Sequence, residues 1–241
     1  MISKSNELND LFDYDYKIYQ NPDYFKFSID SVLLAEFVEL KKNKTDLLDL
    51  CSGNAPIPLI LNKKYGDKLN ITGVELQKDI YQLGLDSIKY NNVNNIEFIN
   101  SDVNDLLDVF PNKKFHYITC NPPYFKVEES SENINSNEVK AIARHELKID
   151  LEKIVSISSK LLYNQGYFYL VHVPTRLADI INICNKYKFG IKRIVPVYND
   201  FNTDSCFVLV EAVLNGKDYV KVEKPVYIKQ NSTYKDIFRK W

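Results

Sequence analysis

Asn121-Pro122-Pro123-Tyr124 directly follows the apolar run Phe115-His116-Tyr117-Ile118-Thr119-Cys120, and so stands at the end of a predicted strand. The exocyclic nitrogen of a base, or the nitrogen of an amide, is a poor nucleophile because its lone pair is delocalised. A catalyst has to hold its N–H groups with acceptors and aim the lone pair at an electrophile. An Asn side-chain carbonyl, a Pro backbone carbonyl and a stacking Tyr supply those parts, which makes Asn121, Pro122 and Tyr124 the candidate catalytic residues for methyl transfer onto nitrogen. The plainer alternative, open at this point, is that two prolines merely end a strand and begin a loop.

Three further signals precede the tetrapeptide, each at the end of a predicted strand. Leu47-Leu48-Asp49-Leu50-Cys51-Ser52-Gly53-Asn54-Ala55 reads as a strand running into a tight turn and then a helix, with Gly53 allowing a bulky ligand close to the backbone. Gly73-Val74-Glu75-Leu76 places an acid at a strand tip 22 residues after Gly53, positioned to accept hydrogen bonds from the ribose hydroxyls of an adenosine-containing cofactor. Asp102, in Ile99-Asn100-Ser101-Asp102, is placed to accept from an adenine amino group. Each has a bland alternative: Asp49 capping the turn, Glu75 a surface acid, Asp102 the N-cap of a short helix over 103–109.

The elements that must position these residues form an α/β pattern, short β-like apolar runs alternating with helical periods. The expected fold is a doubly wound, Rossmann-like sheet of seven strands, mostly parallel: Asp46–Leu50, Ile71–Glu75, Ile96–Asn100, Phe115–Cys120, Gly166–Val173, Ile191–Val197 and Cys206–Leu214. Helices are predicted over Ile57–Tyr65, Lys78–Tyr90, Leu151–Leu162 and Leu177–Tyr187, with a helix-like stretch from Ser31 to Val38. The last two strands are too close for a helical crossover and are expected to pair as an antiparallel hairpin at the sheet edge. The chain is expected to be one domain, with an aromatic and helical cap over 1–45, a catalytic core over 46–214 and a basic extension over 215–241. The polar segment 126–140 is expected to be a loop that gates substrate or orders around it.

With 241 residues, 45% hydrophobic and 26% charged, the chain can bury a full core. No apolar stretch is long enough to span a bilayer and the first residues lack a signal-peptide core, so the expectation is a cytoplasmic protein away from membranes. Cys51, Cys120, Cys184 and Cys206 have no ligand-like spacing, which predicts reduced thiols and no metal. The net charge of −1 gives no bulk attraction to nucleic acid. From residue 217 onward, however, seven basic residues face three acidic ones. A solvated surface and a phosphate contact both remain open for that run.

These motifs resemble the class I S-adenosylmethionine-dependent methyltransferases, and among them the bacterial enzymes that methylate adenine N6 at position 37 of a valine tRNA. The resemblance covers nearly the whole chain. It rests on Ile18-Tyr19-Gln20-Asn21-Pro22 through Phe25-Lys26-Phe27-Ser28-Ile29-Asp30-Ser31, on Asp49–Ala55, Gly73–Glu75 and Asn121–Phe125, and on Ala141-Ile142-Ala143-Arg144-His145-Glu146. It implies S-adenosylmethionine as cofactor, held by Asp49, Cys51, Ser52, Gly53, Asn54, Glu75, Asp102, Val103 and Asn121, with Asp30 and Lys26 closing over it. It implies tRNA as partner, with Tyr19, Phe27, Arg144 and His145 the candidates for contacting RNA, and no obligate protein partner. His116 and His172 are expected in the core.

Two of the three glycines usual in the first cofactor motif are replaced by Cys51 and Ala55. That pattern speaks against a dinucleotide-binding dehydrogenase, whose pyrophosphate needs the glycine-rich turn. Asn-Pro-Pro-Tyr is shared with enzymes acting on rRNA guanine N2 and on protein glutamine. These stay open as alternatives, the glutamine enzyme less so because its N-terminal recognition domain is not expected here. A catalytically silent RNA-binding protein on the same fold is a third.

Overall fold

Alternating apolar residues in the central runs bury side chains on both faces of a single sheet, and the helices between them cover those faces. The structure, a computed structural model, describes residues 6–24, 28–41, 45–123, 151–217, 219–231, 233–235 and 237–239. In chain order the strands and helices are β1 (Glu7–Asp10), β2 (Lys17–Gln20), α1 (Ile29–Phe37), β3 (Thr45–Leu50), α2 (Pro56–Tyr65), β4 (Leu69–Glu75), α3 (Lys78–Tyr90), β5 (Ile96–Asn100), α4 (Leu106–Val109) and β6 (Phe115–Cys120). After them come α5 (Leu151–Leu161), β7 (Leu162–His172), α6 (Leu177–Lys186), β8 (Phe189–Tyr198), β9 (Ser205–Leu214), β10 (Lys221–Val222) and β11 (Val226–Tyr227).

The main sheet runs β10-β8-β9-β7-β6-β3-β4-β5, with β11 also on β8. Strands β3 to β7 are parallel, and β9 is antiparallel to both β7 and β8. The chain lays down β3, β4 and β5 outward and then returns to place β6 on the other side of β3. The crevice at the carboxyl ends of β3 and β6 is therefore the topological switch point, where open α/β sheets bind ligands. Alternation does the packing: Leu47, Ile71, Tyr117 and Tyr169 face α1 and α2, whereas Leu48, Ile118, Phe168 and Leu170 face α5 and α6.

All seven expected strands and the four interior helices are present, with ends moved by a few residues. β7 starts at Leu162, directly at the end of α5, and its register against β6 shifts between the Phe115↔Leu162 and Tyr117↔Tyr167 pairs. The hairpin β8–β9 is antiparallel as expected but is not the outermost pair. The C-terminal extension returns two-residue strands to β8, pairing Val222 with Ile194 and Tyr227 with Tyr198. An additional hairpin, β1–β2, sits on α3, where Asn91 Oδ1 accepts from the Lys17 backbone N–H at 2.9 Å. Its strands are four residues long and mostly polar, too short for an alternation signal.

His172 is buried as expected, and burial lowers its pKa to about 4, so it stays neutral. His116 departs from expectation: it is half-buried at the start of β6, its Nδ1 accepting from the Asp46 backbone N–H at 3.2 Å. The four cysteines are free, Cys120 and Cys184 buried and Cys51 and Cys206 half-buried. Among the described residues no helix is long and apolar enough to cross a membrane, and no His, Cys, Asp or Glu cluster could hold a metal ion.

Candidate active site

β3 ends in a loop wound through left-handed backbone: Cys51 at φ 57°, Gly53 at φ 57° and Ala55 at φ 71°, before α2 begins at Pro56. Cys51 and Ala55, the two residues standing where glycine is usual, thus keep a glycine-like conformation. Each costs on the order of 1–2 kcal/mol that a glycine would not, a local strain of the kind that collects at functional sites. A side chain at Gly53 would meet nothing within 4 Å, so open space lies beside its backbone.

The loop is held from two sides. Ser52 N–H donates to Val74 O at 2.9 Å, and a Cβ at Gly73 would stand 2.5 Å from the Phe98 ring and 2.8 Å from Ser52 Oγ, so glycine there lets both the ring and the loop pack against β4. Glu75, at the end of β4, is buried. Its carboxylate accepts from Gly53 N–H and Gln77 N–H, both at 2.8 Å, so it is aimed across the β3 loop rather than into solvent. Burial raises its pKa against those backbone donors, which act to lower it. On the far side, Asn54 Nδ2 donates to Tyr19 O at 2.7 Å, fastening the loop to β2.

Beneath the loop, Asp49 is fully buried and accepts from Ser52 Oγ and, at 2.6 Å, from Thr119 Oγ1. Asp49 and Thr119 are register partners on β3 and β6, so the two strands share this hydrogen bond at the switch point. Burial raises the Asp49 pKa to about 7, the two hydroxyls opposing and the Glu75 charge adding. On the opposite face, burial and then a hydrogen bond with Cys51 hold the Cys120 thiol well above its usual range, so it stays protonated.

Asn121 follows β6 directly. Its Nδ2 donates to Ser31 Oγ at 2.9 Å, and Ser31 is buried in the first turn of α1. Beside it, Asp30 is buried and its Oδ1 accepts from Ser31 N–H at 2.7 Å and from Ser28 Oγ. One end of the Asn121 amide is therefore occupied by the protein, and its orientation is set from α1. Asn121, Glu75, Asp49 and the 51–55 loop lie at the carboxyl ends of three adjacent strands, β4, β3 and β6. These are the parts of a site that presents an amide acceptor next to a cradle with a buried acid.

A family model for the methyltransferase small domain matches residues 19–188. The chain belongs to this family. The tRNA1(Val) (adenine(37)-N6)-methyltransferase of Pseudoalteromonas translucida is 28% identical over 171 residues, covering 71% of this chain and 70% of that protein. A release factor glutamine methyltransferase of Thermodesulfovibrio yellowstonii is 28% identical over 154 residues, covering 62% of this chain and 54% of that protein. Among solved structures, a predicted O-methyltransferase from Agrobacterium tumefaciens superposes with a TM-score of 0.65 at 19% identity, over 82% of this chain and 86% of that one. The fold is the Rossmann-like fold of class I methyltransferases.

In this methyltransferase the structure brings Asp30, Asp49, Cys51, Ser52, Gly53, Asn54, Glu75 and Asn121 together at the switch point. Asp102 follows β5 and takes the capping role held open for it, its Oδ1 accepting from Asn104 N–H and Asn104 Nδ2, both at 2.8 Å, with Val103 buried next to it. Pro122 is buried. Tyr19 is half-buried; its N–H donates to Ser87 Oγ at 2.9 Å, its carbonyl holds Asn54, and its ring meets Tyr90 edge-on at 6.1 Å. Tyr124, Lys26, Phe27, Arg144, His145 and the 126–140 segment lie outside the described residues. Two site residues were not singled out in the sequence. Thr119 carried a weak signal, a hydroxyl in an otherwise apolar strand; Ser31 carried none beyond its place in the Ser28–Ser31 block.

Proposed function

We propose that this methyltransferase transfers the methyl group of S-adenosylmethionine to the exocyclic N6 nitrogen of adenine at position 37 in the anticodon loop of a valine tRNA. The observation that carries the reading is Asn121, held through Nδ2 by Ser31 at the end of β6, next to the strand bearing the open Gly53 loop. The loop fits the cofactor. It has room beside Gly53, and the Glu75 carboxylate, fixed by two backbone donors, is an acceptor for ribose hydroxyls. In this reading Cys51, Ser52 and Asn54 offer backbone groups to the cofactor, Asp30 closes over it, and Asp102 and Val103 read its adenine ring.

When bound, S-adenosylmethionine supplies an electrophilic methyl group on a sulfonium sulfur. The chain's own residues do the rest by positioning. Asn121 Oδ1 and the Pro122 carbonyl accept the two amino protons and bias the nitrogen toward a pyramidal, nucleophilic form. Tyr124 stacks on the base, which must be flipped out to reach the clamp. Orientation of this kind is worth about 7–11 kcal/mol in favourable cases. The nitrogen becomes acidic once methylated and loses its proton without a strong general base.

The name of the Pseudoalteromonas relative supports tRNA adenine as substrate; the Thermodesulfovibrio relative supports a second reading, a release-factor glutamine. Transfer of label from methyl-labelled S-adenosylmethionine, run in parallel on unmodified valine tRNA and on release factor, separates the two. Label in tRNA alone is expected; label in release factor alone would replace the reading. In the same assay Asn121→Ala is expected to lose about 10²–10³-fold in turnover, as when one preorganised polar group is removed, while cofactor affinity by calorimetry stays near wild type. Glu75→Ala is expected to lose cofactor affinity first.

A further inference from the structure

The β8–β9 hairpin overshoots the catalytic edge. Cys120 pairs with Leu170, Leu170 with Val210, and Val210 with Ile194, so Cys120 and Ile194 stand level across the sheet. β8 runs parallel to β6, since both β7 and β8 are antiparallel to β9. Asn121 is one residue beyond that level and Tyr198 four, so the hairpin projects past Asn121 by about 10 Å at the usual rise per strand residue. With β9 and β7 between β8 and β6, the lateral separation is about 14 Å. The hairpin tip is thus a wall beside the site, at the distance of nucleotides that flank a flipped base.

That tip carries a cluster of aromatic rings. Phe201, in the turn, is 68% exposed, and its ring centroid lies 4.4 Å from that of Tyr227 on β11. Tyr227 in turn lies 5.5 Å from Tyr198. A large apolar ring at a projecting turn costs solvation and contributes nothing to the core clusters. The tip is also buttressed: Lys229 N–H donates to Asn199 O at 3.0 Å, and Lys229 Nζ pairs with Asp200 Oδ2 at 2.9 Å. The pairing neutralises the Asp200 carboxylate next to the rings, which lowers the repulsion a nucleic-acid backbone would meet there.

We infer that Phe201, backed by Tyr227 and Tyr198, is a stacking platform for an unpaired base of the RNA substrate that flanks the methylated adenine. The inference rests on the RNA reading above and extends it to a substrate subsite. Aromatic stacking suits this place because every base has a π-face and single-stranded loop bases are free to splay. The C-terminal extension acquires a role: β11 and Lys229 fix the tip so that the platform is rigid before RNA arrives, which reduces the ordering cost of binding.

The test uses the full chain and a fluorescent anticodon stem-loop of unmodified valine tRNA. Phe201→Ala, an exposed turn substitution, is expected to weaken stem-loop affinity about tenfold and raise KM for the RNA, with kcat and S-adenosylmethionine affinity unchanged; Phe201→Trp is expected to retain binding. Phe201→Ala with wild-type RNA affinity and KM would overturn the platform while leaving the RNA reading standing. A wild-type protein that neither binds nor methylates the stem-loop, but binds release factor in a Phe201-dependent manner, would overturn both.

Discussion

Ser31 and Asp49 are single buried polar groups at the candidate site. Ser31 accepts from Asn121 Nδ2 and so fixes the orientation of the amide, which in the proposed mechanism leaves Oδ1 for the substrate. Ser31→Ala is expected to lower kcat about tenfold, the worth of one ordinary hydrogen bond, with cofactor affinity unchanged and Ser31→Thr restoring most of the rate. Equal losses in the Ala and Thr variants would contradict this role. Asp49 has the opposite character, a carboxyl whose folded-state pKa is raised by burial from 3.8 to about 7. The folded chain therefore holds a proton that the unfolded chain releases. This contribution to stability is fully present below about pH 4 and is lost as pH rises through about 7. Asp49→Asn, neutral throughout, is expected to show a smaller fall in Tm across that interval than the wild type. Parallel Tm profiles would contradict it.

At the scale of elements, Arg193 ties the parts that the strand pattern alone does not join. Its guanidinium lies 2.8 Å from Glu211 on β9, 2.9 Å from Glu223 in the C-terminal extension and 3.2 Å from Glu39 after α1, over the Phe37 ring at 4.4 Å. Burial works against its charge, but the Glu223 hydrogen bond and the Glu211 and Glu39 charges outweigh burial and raise its pKa. Arg193→Ala removes the hydrogen-bonded cation of the buried Glu211, leaving it only the more distant Lys41 charge, and is expected to cost about 3 kcal/mol in denaturant unfolding. A loss under 1 kcal/mol would mean that these charges are solvated. Such a cluster is not readable in sequence, because Glu39, Arg193, Glu211 and Glu223 are far apart in the chain and each looks like a surface charge. The strands were readable because Val, Ile, Leu and aromatic residues form short continuous apolar runs, as strands buried on both faces do. β1, β2, β10 and β11 were not, since strands of two to four residues are too short to show a pattern.

At the scale of the whole molecule, the order in which the chain lays its strands brings the candidate site residues together. Asp49, Glu75 and Asn121 are separated by up to 72 positions, yet each sits at or just beyond the carboxyl end of a strand, and the doubly wound order makes those three ends neighbours. The strand-end positions of Gly53, Glu75 and Asn121 were legible because the apolar runs before them end where the turn residues begin. Ser31 and Thr119 were not, because their importance comes from α1 and β6 arriving beside residues distant in sequence. The most direct measurement is mass-spectrometric nucleoside analysis of unmodified valine tRNA incubated with this protein and S-adenosylmethionine, with fragment mapping of the modified position. N6-methyladenosine confined to position 37, and missing from the Asn121→Ala reaction, is the expected result. Unmodified tRNA from a protein shown to bind S-adenosylmethionine would contradict it.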